Sequence, residues 1–157
     1  MNAELIEKTI KTTHQELNSR FSISNPNIWI SGLNPHAGEN GTIGKEEQEF
    51  IIPIIKKLQS EGYNLLGPLS ADTMFYGKKR PRFDAAICMY HDQALIPIKT
   101  LDFHSSVNLT IGLSFIRTSP DHGTAFDIAG KNLANPTSTI EAIKLAWNMA
   151  KKEQKDR

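Results

Sequence analysis

Two histidines stand where short apolar runs give way to polar chain. His36 lies in Gly32-Leu33-Asn34-Pro35-His36-Ala37-Gly38-Glu39 and His91 in Met89-Tyr90-His91-Asp92-Gln93. Imidazole nitrogen is a common ligand of divalent first-row metals, and the nearby carboxylates Glu39 and Asp92 could orient each ring from outside the coordination sphere. The two are 55 positions apart, so no local ligand motif joins them and only the fold can bring them to one site. Taken singly, each reads first as a hydrogen-bonding loop histidine, and it is the two together, each after a buried strand and beside a carboxylate, that point to a metal. A third stretch, Asp121-His122-Gly123-Thr124-Ala125-Phe126-Asp127-Ile128-Ala129-Gly130-Lys131, offers backbone donors ahead of a helix start, which suits an anion or a ribose. All three lie where an open α/β sheet places its ligands, beyond the carboxyl ends of strands.

Lys99, Asn108 and Arg117 form a further set. Asn108 and Arg117 sit inside strand-like apolar runs, where a buried charge is costly unless paired. The guanidinium fork of Arg117 matches a phosphate or carboxylate, and an internal ion pair with one of the 17 acids is the other reading. The chain has no Gly-x-Gly-x-x-Gly, no Gly-Lys-Ser/Thr phosphate loop and no His-Glu-x-x-His. Cys88, the single cysteine, lies between Ile87 and Met89 and reads as a buried, inert thiol.

The elements that must carry these residues follow from periodicity. Leu5, Ile6, Ile10, Leu17 and Phe21 recur at helical spacing and predict a surface helix over 3–21, ended before Asn25-Pro26, with His14 a solvated or satisfied helix histidine. Ile28–Ile30 reads as a buried strand. A loop over 32–44 with four glycines and one proline leads to a helix opened by Glu46-Glu47 and carrying Ile51, Ile52, Ile54, Ile55 and Leu58. Pro53 conflicts with that helix, which must start later or kink there. Tyr63–Leu66 predicts a short strand, Gly67-Pro68 a turn, and Ser70 a cap before a short helix. Gly77–Arg82 reads as a basic surface loop. Ala85–Tyr90 predicts a central strand that delivers His91, Asp92 and Gln93. Val107–Ile111 and Phe115–Thr118 predict two further strands, Ala125 a helix start, and Thr137 another helix to about Ala150, with 151–157 frayed. The whole predicts an α/β fold with a mixed sheet flanked by helices.

At 157 residues the length favours one domain. A net charge of +1 gives no electrostatic footprint for nucleic acid, and no apolar run is long enough to span a membrane. The polar N-terminus does not read as a signal peptide, so the cytoplasm is the expected compartment.

Four motifs in order, Gly32–Glu39, Gly67–Thr73, Met89–Gln93 and Phe115–Thr124, resemble the 4-hydroxythreonine-4-phosphate dehydrogenase family of pyridoxal phosphate (vitamin B6) biosynthesis. His122–Lys131 with Ala134-Asn135-Pro136 is also similar to the nucleotide-binding segment of isopropylmalate and isocitrate dehydrogenases, whose fold that family shares. The resemblance implies that His36 and His91 ligate a catalytic divalent metal (zinc, magnesium, manganese or cobalt) and that Lys99, Asn108 and Arg117 hold a phosphorylated hydroxy-amino-acid substrate. It implies that Asp72 and Asp92 lie near the reacting centre, that Lys99 also exchanges protons, and that His122, Gly123, Thr124, Asp127 and Asn135 line a site for NAD or NADP. It places the chain on the family's C-terminal half, without the half that carries a third metal-ligating histidine and a substrate-contacting His-Thr pair. A homodimer with a shared active site is implied, and apolar surface left uncovered is expected to drive self-association. Paralogues acting on 4-phospho-threonate or 4-phospho-erythronate, or a non-catalytic phosphate- or nucleotide-binding module, are the other readings.

Overall fold

The computed structural model describes residues 2–76 and 83–155, and the expected basic loop Gly77–Arg82 lies outside them. The described chain falls into two compact units, residues 1–97 and 98–157.

The first unit is built on strand β1 (Ile28–Ser31), whose Ile28 and Ile30 are fully buried. Strand β2 (Leu65–Leu69) lies on one side and β3 (Ala85–Ile87) on the other, both parallel to β1, giving the order β2-β1-β3. Ile28 pairs with Leu65 and with Ala85, and Ile30 with Ile87. A central parallel strand is covered on both faces, which is why Ile-Trp-Ile is continuous rather than alternating. Helix α1 (Ala3–Phe21) starts where the Asn2 side chain accepts the Leu5 N–H at 2.9 Å, and ends at left-handed Ser22. Its Ile6 and Ile10 join Ile54, Ile55 and Leu58 of helix α2 (Ile52–Ser60) in the core.

The Pro53 conflict is met by a local change of helix type. A π-helical turn spans Glu47–Ile51 and runs directly into α2 at Ile52, so the wider turn ahead of Pro53 accommodates its missing N–H within a continuous helix. Strand β2 starts two residues later than the expected Tyr63–Leu66, ends three later and contains Gly67-Pro68, the expected turn. As an edge strand it tolerates a proline, and a Cβ at Gly67 would collide with the Ile30 carbonyl oxygen of β1. Short helix α3 (Ala71–Met74) follows Ser70 as expected, but the Ser70 hydroxyl makes no capping bond to the backbone and donates instead to Asp72. Strand β3 is shorter than Ala85–Tyr90, because the chain has already turned towards helix α4 (His91–Leu101), which holds Pro97 internally.

The second unit has antiparallel strands β4 (Val107–Thr110) and β5 (Arg117–Pro120) packed against helix α5 (Thr137–Lys155). Thr118 Oγ1 donates to the Ala142 carbonyl at 2.9 Å, and Ser138 Oγ donates to the Ser106 carbonyl at 2.7 Å while accepting the Asp121 N–H at 2.9 Å. Three expectations change here. The second strand begins at Arg117 instead of Phe115, which is exposed. The helix expected at Ala125 is a single 3-10 turn over Phe126–Ile128, preceded by Ala125 at φ 45°. Helix α5 continues past Ala150 to Lys155 where fraying was expected. The α/β class is as read from the sequence, with the parallel and antiparallel strands in two sheets.

Candidate active site

Because β2, β1 and β3 run in one direction, their carboxyl ends deliver three of the singled-out segments to one edge. β1 leads into Gly32 and the turn that carries His36. β2 leads into Ser70 and Asp72. β3 leads into His91 and Asp92 at the start of α4. An open parallel sheet binds its ligands at this edge.

The His36 segment has an unusual backbone. His36, Ala37, Gly38, Glu39 and Asn40 all have positive φ, between 44° and 80°, forming one left-handed turn within Pro35–Gly41. For L-residues that conformation costs about 1–2 kcal/mol each, and four of the five are not glycine. Buried Glu47 is packed against this turn: a Cβ at Gly38 would lie 2.6 Å from Glu47 Oε2. Glu47 Oε1 accepts the backbone N–H of Leu33 and of Asn34, each at 2.8 Å. The Asn34 side-chain amide donates to Glu47 Oε2 at 2.9 Å and to Glu46 Oε2 at 2.7 Å. Burial pushes the Glu47 carboxyl upward, but the Asn34 amide and these backbone donors outweigh it and hold its pKa below the ordinary range.

His36 projects outward, with Nδ1 3.4 Å from Glu39 Oε1, so the carboxylate expected to orient it does stand beside it. His91 and Asp92 are both exposed at the first turn of α4, where an acid suits the helix dipole. Asp72, also exposed, accepts the Ser70 hydroxyl at 2.7 Å. The donor chemistry fits a divalent ion, since two exposed imidazoles follow adjacent strands. Among the described residues no group of three or more His, Cys, Asp or Glu side chains is placed to hold a metal, so further ligands would have to come from elsewhere. Half-buried Cys88 has its thiol pKa raised by burial, with the Ser31 hydroxyl opposing, in keeping with an inert thiol.

Lys99 and the phosphate and cofactor candidates belong to the second unit. Lys99 Nζ donates to the Asp121 carbonyl at 2.7 Å, pairs with Asp121 Oδ2 at 3.1 Å and lies 5.2 Å from the Phe103 ring centroid. The premise that Asn108 and Arg117 carry a burial cost is corrected: both are exposed, and Arg117 Nη1 donates to Thr110 Oγ1 at 2.7 Å. Register explains why. Asn108 pairs with Ser119 and Thr110 with Arg117, so these four polar side chains share one face of the hairpin, while Val107, Leu109 and Thr118 take the other. Of the cofactor candidates, His122 Nδ1 lies 2.9 Å from the Gly123 carbonyl, and Gly123, Thr124 and Asp127 are exposed. Asn135 serves the architecture directly, since its Oδ1 accepts the Thr137 N–H at 3.0 Å and caps α5.

Two residues escaped the sequence reading. In the sequence Glu47 reads as a first-turn helix acid, and Gln93 follows His91-Asp92 without a role of its own. Gln93 is buried, its Nε2 donating to the Gly32 carbonyl at 2.8 Å and its Oε1 accepting the Met89 N–H at 2.7 Å and the Ser31 hydroxyl. A polar residue two positions after His91 was the one available signal for Gln93, and the helical pattern concealed Glu47.

The sequence profile described as "Pyridoxal phosphate biosynthetic protein PdxA" matches residues 1–146. The chain belongs to the PdxA family. A 4-hydroxythreonine-4-phosphate dehydrogenase of Roseobacter denitrificans is 64% identical over 146 residues, covering 93% of this chain and 45% of the relative. The crystal structure of the Klebsiella pneumoniae 4-hydroxythreonine-4-phosphate dehydrogenase superimposes with a TM-score of 0.82 at 38% identity, covering 95% of this chain and 45% of that one. A terephthalate 1,2-cis-dihydrodiol dehydrogenase from Burkholderia xenovorans superimposes with a TM-score of 0.73 at 34% identity, covering 94% and 47%. The chain thus spans less than half the length of the PdxA relatives it matches. Among the described residues, no helix is long and apolar enough to cross a membrane.

Proposed function

We propose that this PdxA-family chain carries part of the active site of an NAD- or NADP-dependent dehydrogenase that oxidises 4-phosphohydroxy-L-threonine, with decarboxylation, to 3-amino-2-oxopropyl phosphate. The observation that supports it most is the delivery of Asp72, His36 and His91-Asp92 to one edge of a parallel sheet, in a chain 64% identical to an enzyme bearing that name. His36 and His91 would hold a divalent ion, which when bound supplies Lewis-acid stabilisation of negative charge developing on substrate oxygen.

The other roles fall to the chain's own side chains. Arg117 and Asn108 share a hairpin face and bind the substrate phosphate, the guanidinium with two parallel donors. Lys99 contributes a second cationic contact and a proton at Nζ, exchanging its Asp121 partner for substrate. Asp72 and Asp92, exposed at helix starts, orient the substrate's polar groups or take a proton. His122, Gly123, Thr124, Asp127 and Asn135 line the nicotinamide nucleotide site. The active form is a cytoplasmic homodimer with the site shared between subunits, and the 157-residue chain is inactive by itself. NADH formation from substrate, NAD and divalent metal tests this, first with the chain alone and then with the N-terminal half of a full-length relative added. Turnover only on addition supports the proposal, and turnover by the chain alone contradicts the fragment reading.

A second reading is a paralogous dehydrogenase for 4-phospho-threonate or 4-phospho-erythronate. The similarity to a dehydrogenase named for a different substrate favours keeping it. A substrate panel in the complemented assay separates the two. A non-catalytic module would instead be stabilised by NAD or substrate with no NADH formed.

A further inference from the structure

Two buried polar side chains converge on one four-residue segment of the first unit. Gln93 from α4 holds Ser31 through its hydroxyl and Gly32 through its carbonyl. Glu47 from the π turn holds Leu33 and Asn34 through their N–H groups and Asn34 again through its side-chain amide. Every residue from 31 to 34 is thus gripped by one or the other, and Gln93 also grips the Met89 N–H, two residues before His91. Glu47 is 1% exposed and Gln93 8%. Burying a carboxylate and an amide is unfavourable unless nearly every polar atom is satisfied, and apolar residues of similar size would fill the same space without that cost. What the polar pair adds is geometric definition.

The segment they grip leads directly into the left-handed turn of His36. Such a turn, with four non-glycine residues at positive φ, persists only where its surroundings over-determine it. Glu47 supplies that constraint from two directions: its carboxylate fixes the two residues before Pro35 and abuts Gly38 within the turn.

We propose that Glu47 and Gln93 are positioning residues that act as one frame, fixing the His36 turn relative to the His91 helix start through the shared segment Ser31–Asn34. The inference rests on the reading of His36 and His91 as metal ligands, and it assigns neither residue a contact with metal or substrate. As one frame, its two halves respond together: loosening either loosens the residues held by the other.

Amide hydrogen exchange by NMR on the 157-residue chain tests the coupling without metal. Gln93→Met should speed exchange about tenfold at Met89 and also at Asn34, whose peptide group Gln93 does not hydrogen-bond; Glu47→Gln should do so at Leu33 and Asn34 and also at Met89. Protection retained at Ile10 and Leu58 shows that the core is folded. If Gln93→Met unfolds, Ser31→Ala removes only one hydroxyl of the frame and should act in the same direction more weakly. Faster exchange confined to the amides that the altered side chain itself touches would overturn the inference.

Cobalt(II) titration followed by visible absorption adds the second readout. Both frame variants should weaken binding 10–100-fold and shift the band, as loss of outer supports does in metal sites. His36→Ala and His91→Ala separate the two hypotheses. If they leave cobalt binding unchanged, the ligand reading fails and exchange alone judges the frame; if the parent chain by itself binds none, the same titration with the N-terminal half of a full-length relative added decides between these outcomes. If they abolish binding while Glu47→Gln and Gln93→Met bind as the parent does, the ligand reading stands and the positioning role is overturned.

Discussion

Glu47 and Asn34 are joined twice, Oε1 accepting the Asn34 backbone N–H at 2.8 Å and Oε2 accepting its side-chain amide at 2.9 Å. The doubled link ties a buried carboxylate to the residue that precedes Pro35-His36. It also sets a dependence on pH. The folded-state pKa of Glu47 is depressed, despite burial acting upward, by the Asn34 amide and the neighbouring N–H donors. A depressed carboxyl pKa contributes stability that is fully present above the unfolded value, about 4.3, and is lost as pH falls through the lower folded value. Urea midpoints measured from pH 6 down to pH 3 should therefore fall more steeply for the parent chain than for Glu47→Gln. Parallel curves would contradict this.

Core burial predicts a larger effect elsewhere. Ile10 of α1 is fully buried against residues of α2, so Ile10→Ala should cost about 2–5 kcal/mol in denaturant unfolding, enough to threaten the fold. Leu5→Ala in the same helix, at an exposed position, should stay within about 0.5 kcal/mol.

Phosphate recognition can be separated from folding at Arg117. The side chain is exposed and bonded only to Thr110 among the described residues, so Arg117→Met should leave the melting temperature nearly unchanged. Binding of the phosphorylated substrate should weaken at least tenfold, because a charge-assisted contact is worth roughly 1.5–3 kcal/mol. Lys at this position should restore only part of it, lacking the fork. Equal affinity in all three would remove Arg117 from the phosphate site.

The far face of α5 bears on assembly. Ala142 and Met149 are buried, whereas Ile140, Ile143 and Trp147 form an exposed stripe at positions i, i+3 and i+7, with Trp147 62% exposed. Such a stripe predicts concentration-dependent self-association in sedimentation, reduced by Ile143→Glu. A monomer at all concentrations would contradict it.

The strands and helices were legible where periodicity and burial agree. Ile28–Ile30 reads as a strand because a central parallel strand is apolar throughout, and α1 because Ile6 and Ile10 recur at helical spacing. The His36 and His91 edges were legible because a strand must end before a loop can present a histidine, whereas the third stretch, Asp121–Lys131, follows antiparallel β5 of the two-stranded sheet and not the carboxyl edge of a parallel one. Three features were not. Glu47 and Gln93 look like surface residues until tertiary packing closes over them, and nothing local records that their partners lie 14 and 61 positions away. The left-handed turn of His36–Asn40 runs against the preference of four of its residues. The exposure of Arg117 depends on hairpin register, which one apolar-looking run cannot specify.

The most direct test is the metal dependence of turnover in the complemented enzyme, the chain mixed with the N-terminal half of a relative, comparing the parent chain with His36→Ala and His91→Ala. If His36 and His91 hold the ion, NADH formation should require added divalent metal and fall by at least 1,000-fold in either variant, roughly 4 kcal/mol of transition-state stabilisation. Turnover undiminished in both variants would contradict the assignment of the metal to this edge of the sheet.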